Sequence, residues 1–305
     1  MLLPVNTEET KIPDLIVEGK KIHISYSEFS LFYQCGHRHL LEKHLAILAQ
    51  PPSIHLYFGN AIHASIETVL KEHLDIESRV SFFRNTFTKS MKENMKDTID
   101  YKNNFEDFLD QGENILRILD FESIFKDYEI IAIEEALYEN LHSHFYFKGF
   151  IDLVVRNKIT KKYKIFDWKT SGSDWDVPKK IKDEIFLAQM RFYKFFWGRK
   201  NNIPLEDIEC GYVVLNRLRN KKDPKSYPGN IQRVDVNSTN SEIKSSLNKL
   251  ALAVKSIHID KYFPKIKQTA GTNGCFFCPL KGGNHPHCDS TKRQDKLFLK
   301  EYKKN

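Results

Sequence analysis

The sequence predicts an α/β fold, and three observations carry that prediction. Residues 149–170, GFIDLVVRNKITKKYKIFDWKT, hold two runs rich in β-branched and aromatic residues, FIDLVV and YKIFDW, on either side of a polar, lysine-bearing turn. That is the pattern of a half-buried hairpin. Residues 56–74 set Ile62, Ile66, Val69 and Leu70 at helical spacing, and residues 183–200 have the density of an amphipathic helix. Residues 208–216, IECGYVVLN, read as a further strand, with Cys210 as a core cysteine.

The hairpin carries the chemistry. Asp152 lies near the start of its first strand and Asp167 near the end of its second, so antiparallel pairing brings two carboxylates to one edge. Lys169 is two residues past Asp167, and the period of two turns both side chains to one face. Two carboxylates and an ammonium make a site for a divalent cation beside an anionic substrate, the lysine facing the anion. On an arbitrary hairpin the same trio is more often a structural ion cluster. Here Gly149 lets another group approach closely, and Ile151, Leu153, Ile165 and Phe166 bury the strands beneath the charges. The pattern G-F-I-D followed by I-F-D-W-K-T resembles motifs II and III of the PD-(D/E)XK nuclease superfamily, in particular its RecB-like exonuclease branch.

The remaining elements follow in chain order. Residues 1–24 are expected to form an N-terminal arm, a polar lead-in with Pro4 and Pro13. Ser25 or Ser27 caps a predicted helix whose apolar side holds Phe29, Phe32 and Tyr33. Cys35 follows at once; taken alone it is a small buried residue. In context C-x-x-R resembles the C-P-x-x-F segment of RecB-like nucleases that carry an iron-sulfur cluster, with Gly36 where proline is usual. The helix after Pro51-Pro52-Ser53 contains F-G-N-A-I-H, which resembles motif I, F-G-x-x-x-H, whose histidine helps hold the metal. His63 is therefore a ligand candidate by resemblance, and imidazole suits manganese somewhat better than magnesium.

Residues 76–123 are highly charged and helical in pattern, an expected insertion of two helices that cover the sheet or wall a substrate channel. Residues 128–142 read as a long strand bearing Glu134 and Glu135. Related nucleases often place an acid here, and Glu135 is the preferred candidate, although an edge-strand acid fits equally. In the helix over 183–200, Gln189 and Tyr193 share a face four residues apart. Alone that is packing; after D-W-K-T it resembles the Q-x-x-x-Y motif, which implies contacts to DNA or support of the catalytic lysine. Residues 217–230 gather Arg217, Arg219, Lys221, Lys222 and Lys225, a soluble turn or a track for a nucleic-acid backbone. A helix over about 241–258 leads to the cysteine-rich end.

Cys275 and Cys278 form a C-x-x-C turn and Cys288 follows nine residues on. Cys35 could complete four soft thiolates, which suit an iron-sulfur cluster, and the resemblance implies a [4Fe-4S] staple joining residues 271–305 to a nuclease domain over 25–270. The rival is Zn2+, held by the three cysteines with His285, His287 or Cys35.

At 305 residues the chain can bury a large core, and 47 basic against 40 acidic residues give a formal charge of +7, a mild bias towards polyanions. No apolar run spans a bilayer and the opening lacks a signal-peptide core, so a cytoplasmic location is the default. The resemblance implies a restriction-endonuclease-like core of mixed strands flanked by helices, with an added helical region. It implies a metal-dependent DNA exonuclease acting on single strands or ends, beside a helicase or recombination partner. Asp152, Asp167, His63 and the carbonyl of Trp168 would hold Mg2+ or Mn2+, and Lys169 would orient the attacking water or stabilise transition-state charge. The alternatives are a non-catalytic DNA-binding scaffold and an endonuclease of the same fold. Motifs do not set polarity, because direction depends on how a channel threads the strand.

Overall fold

Residues 149–170 do form adjacent antiparallel strands, and they sit at the centre of a six-stranded mixed sheet. The computed structural model describes residues 21–45, 53–217, 230–264, 278, 284–285 and 288–289. Most of the N-terminal arm, Cys275 and the side chain of Cys288 lie outside the described residues.

The elements run β1 (Ile22–Ser25), α1 (Tyr26–Gln34), α2 (Gly36–His39), a π-helical turn, α3 (Ile54–Glu72), α4 (Ile76–Met95), α5 (Ile99–Ile118) and α6 (Phe121–Phe125). Then come β2 (Tyr128–His142), β3 (Phe145–Asn157), β4 (Tyr163–Ser171), α7 (Val177–Lys180), α8 (Glu184–Asn201), β5 (Ile208–Asn216), β6 (Asn230–Asp235) and α9 (Asn240–Val254). A short antiparallel pair joins Asn284–His285 to Cys288–Asp289. Local chemistry explains the boundaries. Ser25 accepts the Glu28 N–H to start α1, Asp75 and Thr98 cap α4 and α5, and Asp183 accepts two amides at the head of α8. Thr239 and Glu242 form a reciprocal capping box on α9. Among the described residues no helix is long and apolar enough to cross a membrane.

β3 organises the sheet. β2 pairs along its whole length, antiparallel, on one edge. On the other edge β1 pairs in parallel with Phe145–Lys148, and β4 pairs antiparallel with Leu153–Arg156. Residues 149–152 lie between these two partners. β5 runs parallel to β4, with α7 and α8 in the crossover, and β6 closes the far edge. Asp152 therefore stands mid-strand rather than near a strand start, because β3 begins earlier than FIDLVV suggested.

Each face of the sheet has its own core. Phe29 and Phe32 of α1, Phe192 and Phe196 of α8 and Leu250 of α9 pack against Phe147, Ile151, Val154 and Val214. Phe58 and Ile62 of α3 and Phe83 and Phe87 of α4 pack on the opposite face against Leu153, Val155, Phe166, Trp168 and Val213. Ile151 and Leu153, two residues apart, should share a face but join opposite cores. β2 turns over at the same level. Ile133 packs with the α3 layer, while Glu135 bonds Trp197 on the α8 side. The register pairs Ile133 with Leu153 and Glu135 with Ile151, so Glu134 faces Asp152. Glu134 has a left-handed backbone, φ 53°, costly for a residue with a Cβ. The twist that reverses both strands is centred on this pair of acids.

Candidate active site

Beyond Leu153 and Phe166 the ladder between β3 and β4 opens. Extending the register one step sets Asp152 opposite Asp167. In the fork, Asp152 Oδ2 accepts the backbone N–H of Trp168 at 2.7 Å. Its other oxygen lies 3.5 Å from His63 Nδ1, brought over the fork by α3. The buried Asp167 accepts a hydrogen bond from Gln189 Nε2 at 2.8 Å through Oδ1, and its Oδ2 is 2.6 Å from Lys169 Nζ. That ion pair is close but not aligned as a hydrogen bond, so Oδ2 has no hydrogen-bond partner. Gln189 also donates to the Tyr193 hydroxyl at 3.2 Å. The four-residue spacing on α8 puts both against the fork.

Gly149 gives its close approach to Tyr193: a Cβ there would meet Tyr193 Cε1 at 2.8 Å. The Tyr193 hydroxyl in turn faces the backbone of Phe150, within the stretch of β3 between β1 and β4.

Electrostatics mark the fork as short of positive charge. Burial, with Asp152 adding to it, pushes Asp167 up to about 6 despite the opposing ammonium of Lys169. Burial also raises Glu134, helped by Asp152 and Glu67. Burial pulls His63 down, but Asp152 and Asp167 outweigh it and hold the imidazole above its usual range. An open cleft of about 390 Å³ runs beside the fork, lined in part by Gly59, Asn60, His63, Glu67 and Glu134.

His63, Asp152, Asp167, Lys169, Gln189 and Tyr193 thus converge, with Trp168 contributing its amide while its indole is buried in the α3-side core. Glu135 does not join them. It accepts from Trp197 Nε1 at 2.6 Å and pairs with Lys200 at 2.7 Å on the opposite face. The acid on the cleft side is Glu134, because its left-handed backbone reverses the strand's phase. Two adjacent glutamates gave no signal to choose between them.

As they stand, no three His, Cys, Asp or Glu side chains among the described residues are grouped to hold an ion. The donor set nevertheless fits a hard cation: Asp167 and Glu134 are both raised, chiefly by burial with the charge of Asp152 adding to it, and one Asp167 oxygen is satisfied only by a misaligned ammonium. Of the basic loop, Arg217 is the only described cation, and it is packed over Phe58 and Phe108 with hydrogen bonds to Gln111 and His55. Cys210 is a core cysteine whose thiol burial pushes up to about 12. Cys35 lies at the end of α1. Immediately after it, Gly36 admits Pro264, whose Cδ a Cβ would meet at 2.5 Å, and the Pro264 carbonyl accepts the His37 N–H at 3.0 Å.

The sequence model of the PD-(D/E)XK nuclease superfamily matches residues 23–282. No curated protein matches. Among solved structures, the crystal structure of SSO0001 aligns at 16% identity over 84% of this chain and 96% of that one, with a TM-score of 0.29, a likeness that carries no further conclusion.

Proposed function

Because the chain belongs to the PD-(D/E)XK nuclease superfamily, we propose that it is a metal-dependent deoxyribonuclease, an exonuclease acting on single-stranded DNA or DNA ends in recombination, replication or repair. One observation carries the reading: Asp152 and Asp167 meet in the strand fork with Lys169 on one carboxylate and His63 beside the other.

Asp152, Asp167 and His63 would hold the ion, with Glu134 close by on the cleft side. A divalent cation supplies Lewis acidity towards phosphoryl oxygens and acidifies water. The protein's own parts do the rest. The Trp168 amide holds one oxygen of Asp152, and Gln189 holds one of Asp167, so the remaining oxygen of each is aimed into the fork. Lys169, which pairs with Asp167 at 2.6 Å, would face the phosphodiester when that carboxylate holds the ion. There it orients water or meets the charge that develops on the phosphate, an effect felt in turnover more than in binding. Gln189 and Tyr193 act as positioning residues, locking Asp167 from beneath.

A [4Fe-4S] cluster on Cys35, Cys275, Cys278 and Cys288 belongs to the same proposal. It is supported by the spacing of the cysteines and by the return of the chain at Pro264 to the residues just after Cys35. Zn2+ on Cys275, Cys278 and Cys288 with His285, His287 or Cys35 is distinguished by visible absorbance of anaerobically purified protein.

The test of the activity compares end-blocked circular DNA with linear single strands in Mg2+ or Mn2+, using Asp167→Ala as control. Degradation of the linear strand alone, lost in the variant, is expected. Cutting of the circle would make the protein an endonuclease. A wild type inert towards both would leave a DNA-binding scaffold and overturn the reading.

A further inference from the structure

The α3–α5 layer covers only half of the sheet. Its core takes Leu153 and Val155 from β3 but no earlier residue of that strand. On the earlier half, Phe145, Phe147 and Ile151 point into the α8-side core, so Tyr146, Lys148 and Phe150 project from the other face. Their row continues to Asp152. We propose that this face is a docking track for single-stranded DNA that runs into the cleavage fork.

Three features support that occupant. Aromatic surface comes first: Tyr138 of β2 stacks on Tyr146 with ring centroids 4.8 Å apart and planes at 10°. Tyr138 is 43% exposed and Phe150 49%. Large rings left in water on an open face suit stacking by bases. Charge is second. Lys21 lies over the Tyr146 ring at 5.2 Å and Lys148 over Phe150 at 5.9 Å, which alternates cations with stacking surfaces. The neighbouring outward positions of β2 are Ala136 and Asn140, so along these rows no carboxylate appears until Glu134 and Asp152. Continuity is third. Side chains two apart on a strand repeat every ~6.6 Å, about one nucleotide of an extended strand, so Phe150, Lys148 and Tyr146 lie one, two and three steps from Asp152. The inference rests on the nuclease reading only in placing the end of the track at the fork.

Anisotropy of a labelled oligothymidylate, measured with the full chain in EDTA so that nothing is cut, tests it. Tyr138→Ala with Phe150→Ala should weaken single-strand affinity at least about ten-fold and leave duplex binding and melting temperature unchanged. Lys148→Glu should lower affinity and flatten its salt dependence. Bromouracil in the strand should photocross-link to the peptide bearing Tyr138 or Tyr146. Unchanged affinity with cross-links elsewhere would overturn the proposal. So would equal losses for duplex, or a wild-type dimer that Tyr138→Ala dissolves, which would assign the face to a second copy. If binding falls as expected but no protein cuts DNA in Mn2+, the nuclease reading fails and the track stands. If all variants bind and cut like wild type, the reverse holds.

Discussion

Asp152 of β3 accepts the backbone N–H of Trp168 of β4 at 2.7 Å, where the ladder between the two strands has just ended. A carboxylate thus satisfies an amide that strand separation would otherwise strand in a buried setting. The fork can open without that cost, and in the proposed reading its opening is where a cation and a phosphate would meet Asp167.

Removing the second carboxylate should separate activity from stability. Asp167 is buried and raised to about 6, so its folded form holds a proton more tightly than the unfolded chain does. Its stability contribution is full below the unfolded value of 3.8 and is lost as pH rises through about 6. At pH 8 without metal, Asp167→Asn should melt no lower than wild type, yet lose cleavage by about 10³-fold or more. A thermal scan beside a single-turnover assay checks both.

The two adjacent glutamates should behave oppositely. Glu135→Ala strips the buried Trp197 N–H of its acceptor and costs about 1–3 kcal/mol in urea unfolding, with cleavage kept. Glu134→Gln should instead lower the cleavage rate while stability holds or rises, since its charged form is disfavoured by burial and by Asp152. Equal loss of activity in both variants would refute the assignment.

Gly149→Ala tests the packing beneath the site. The new Cβ would fall 2.8 Å from Tyr193 Cε1, against a buried ring. Overpacking of this kind costs about 1–3 kcal/mol. Because Tyr193 is bonded to Gln189 and Gln189 to Asp167, turnover should fall with it. Pairing the change with Tyr193→Phe should not restore it, as the clash is with the ring.

His258 sets an acid limit remote from the fork. It faces His39, His44, Glu28, Lys261 and the Phe145 ring, and burial, only partly opposed by Glu28, depresses it from 6.5 to about 4. The folded state therefore resists a proton that the unfolded chain accepts. Its contribution is complete above pH 6.5 and is lost as pH falls towards about 4. Melting curves across that window should drop by several degrees, and His258→Phe should flatten the drop.

Short-range pattern made much of this protein readable from its residues alone. The strand formers around Asp152 and Asp167, the helix carrying His63 and the i, i+4 pair Gln189 and Tyr193 all declared themselves, because period and capping are local properties. The period of two was also enough to place Lys169 beside Asp167. Other features were settled only by contacts distant in sequence. Nothing near Glu134 announces a left-handed residue. The reversal of β2 at this residue, level with that of β3 at Asp152, puts Glu134 on the cleft side and sends Glu135 to Trp197. The division of one β3 edge between β1 and β4, and the half of the sheet that the α3–α5 layer leaves uncovered among the described residues, likewise arise from how layers of fixed length meet. Local propensity fixes which residues lie along a strand; which side of the sheet each one faces at the fork is decided by the partners that fold against it.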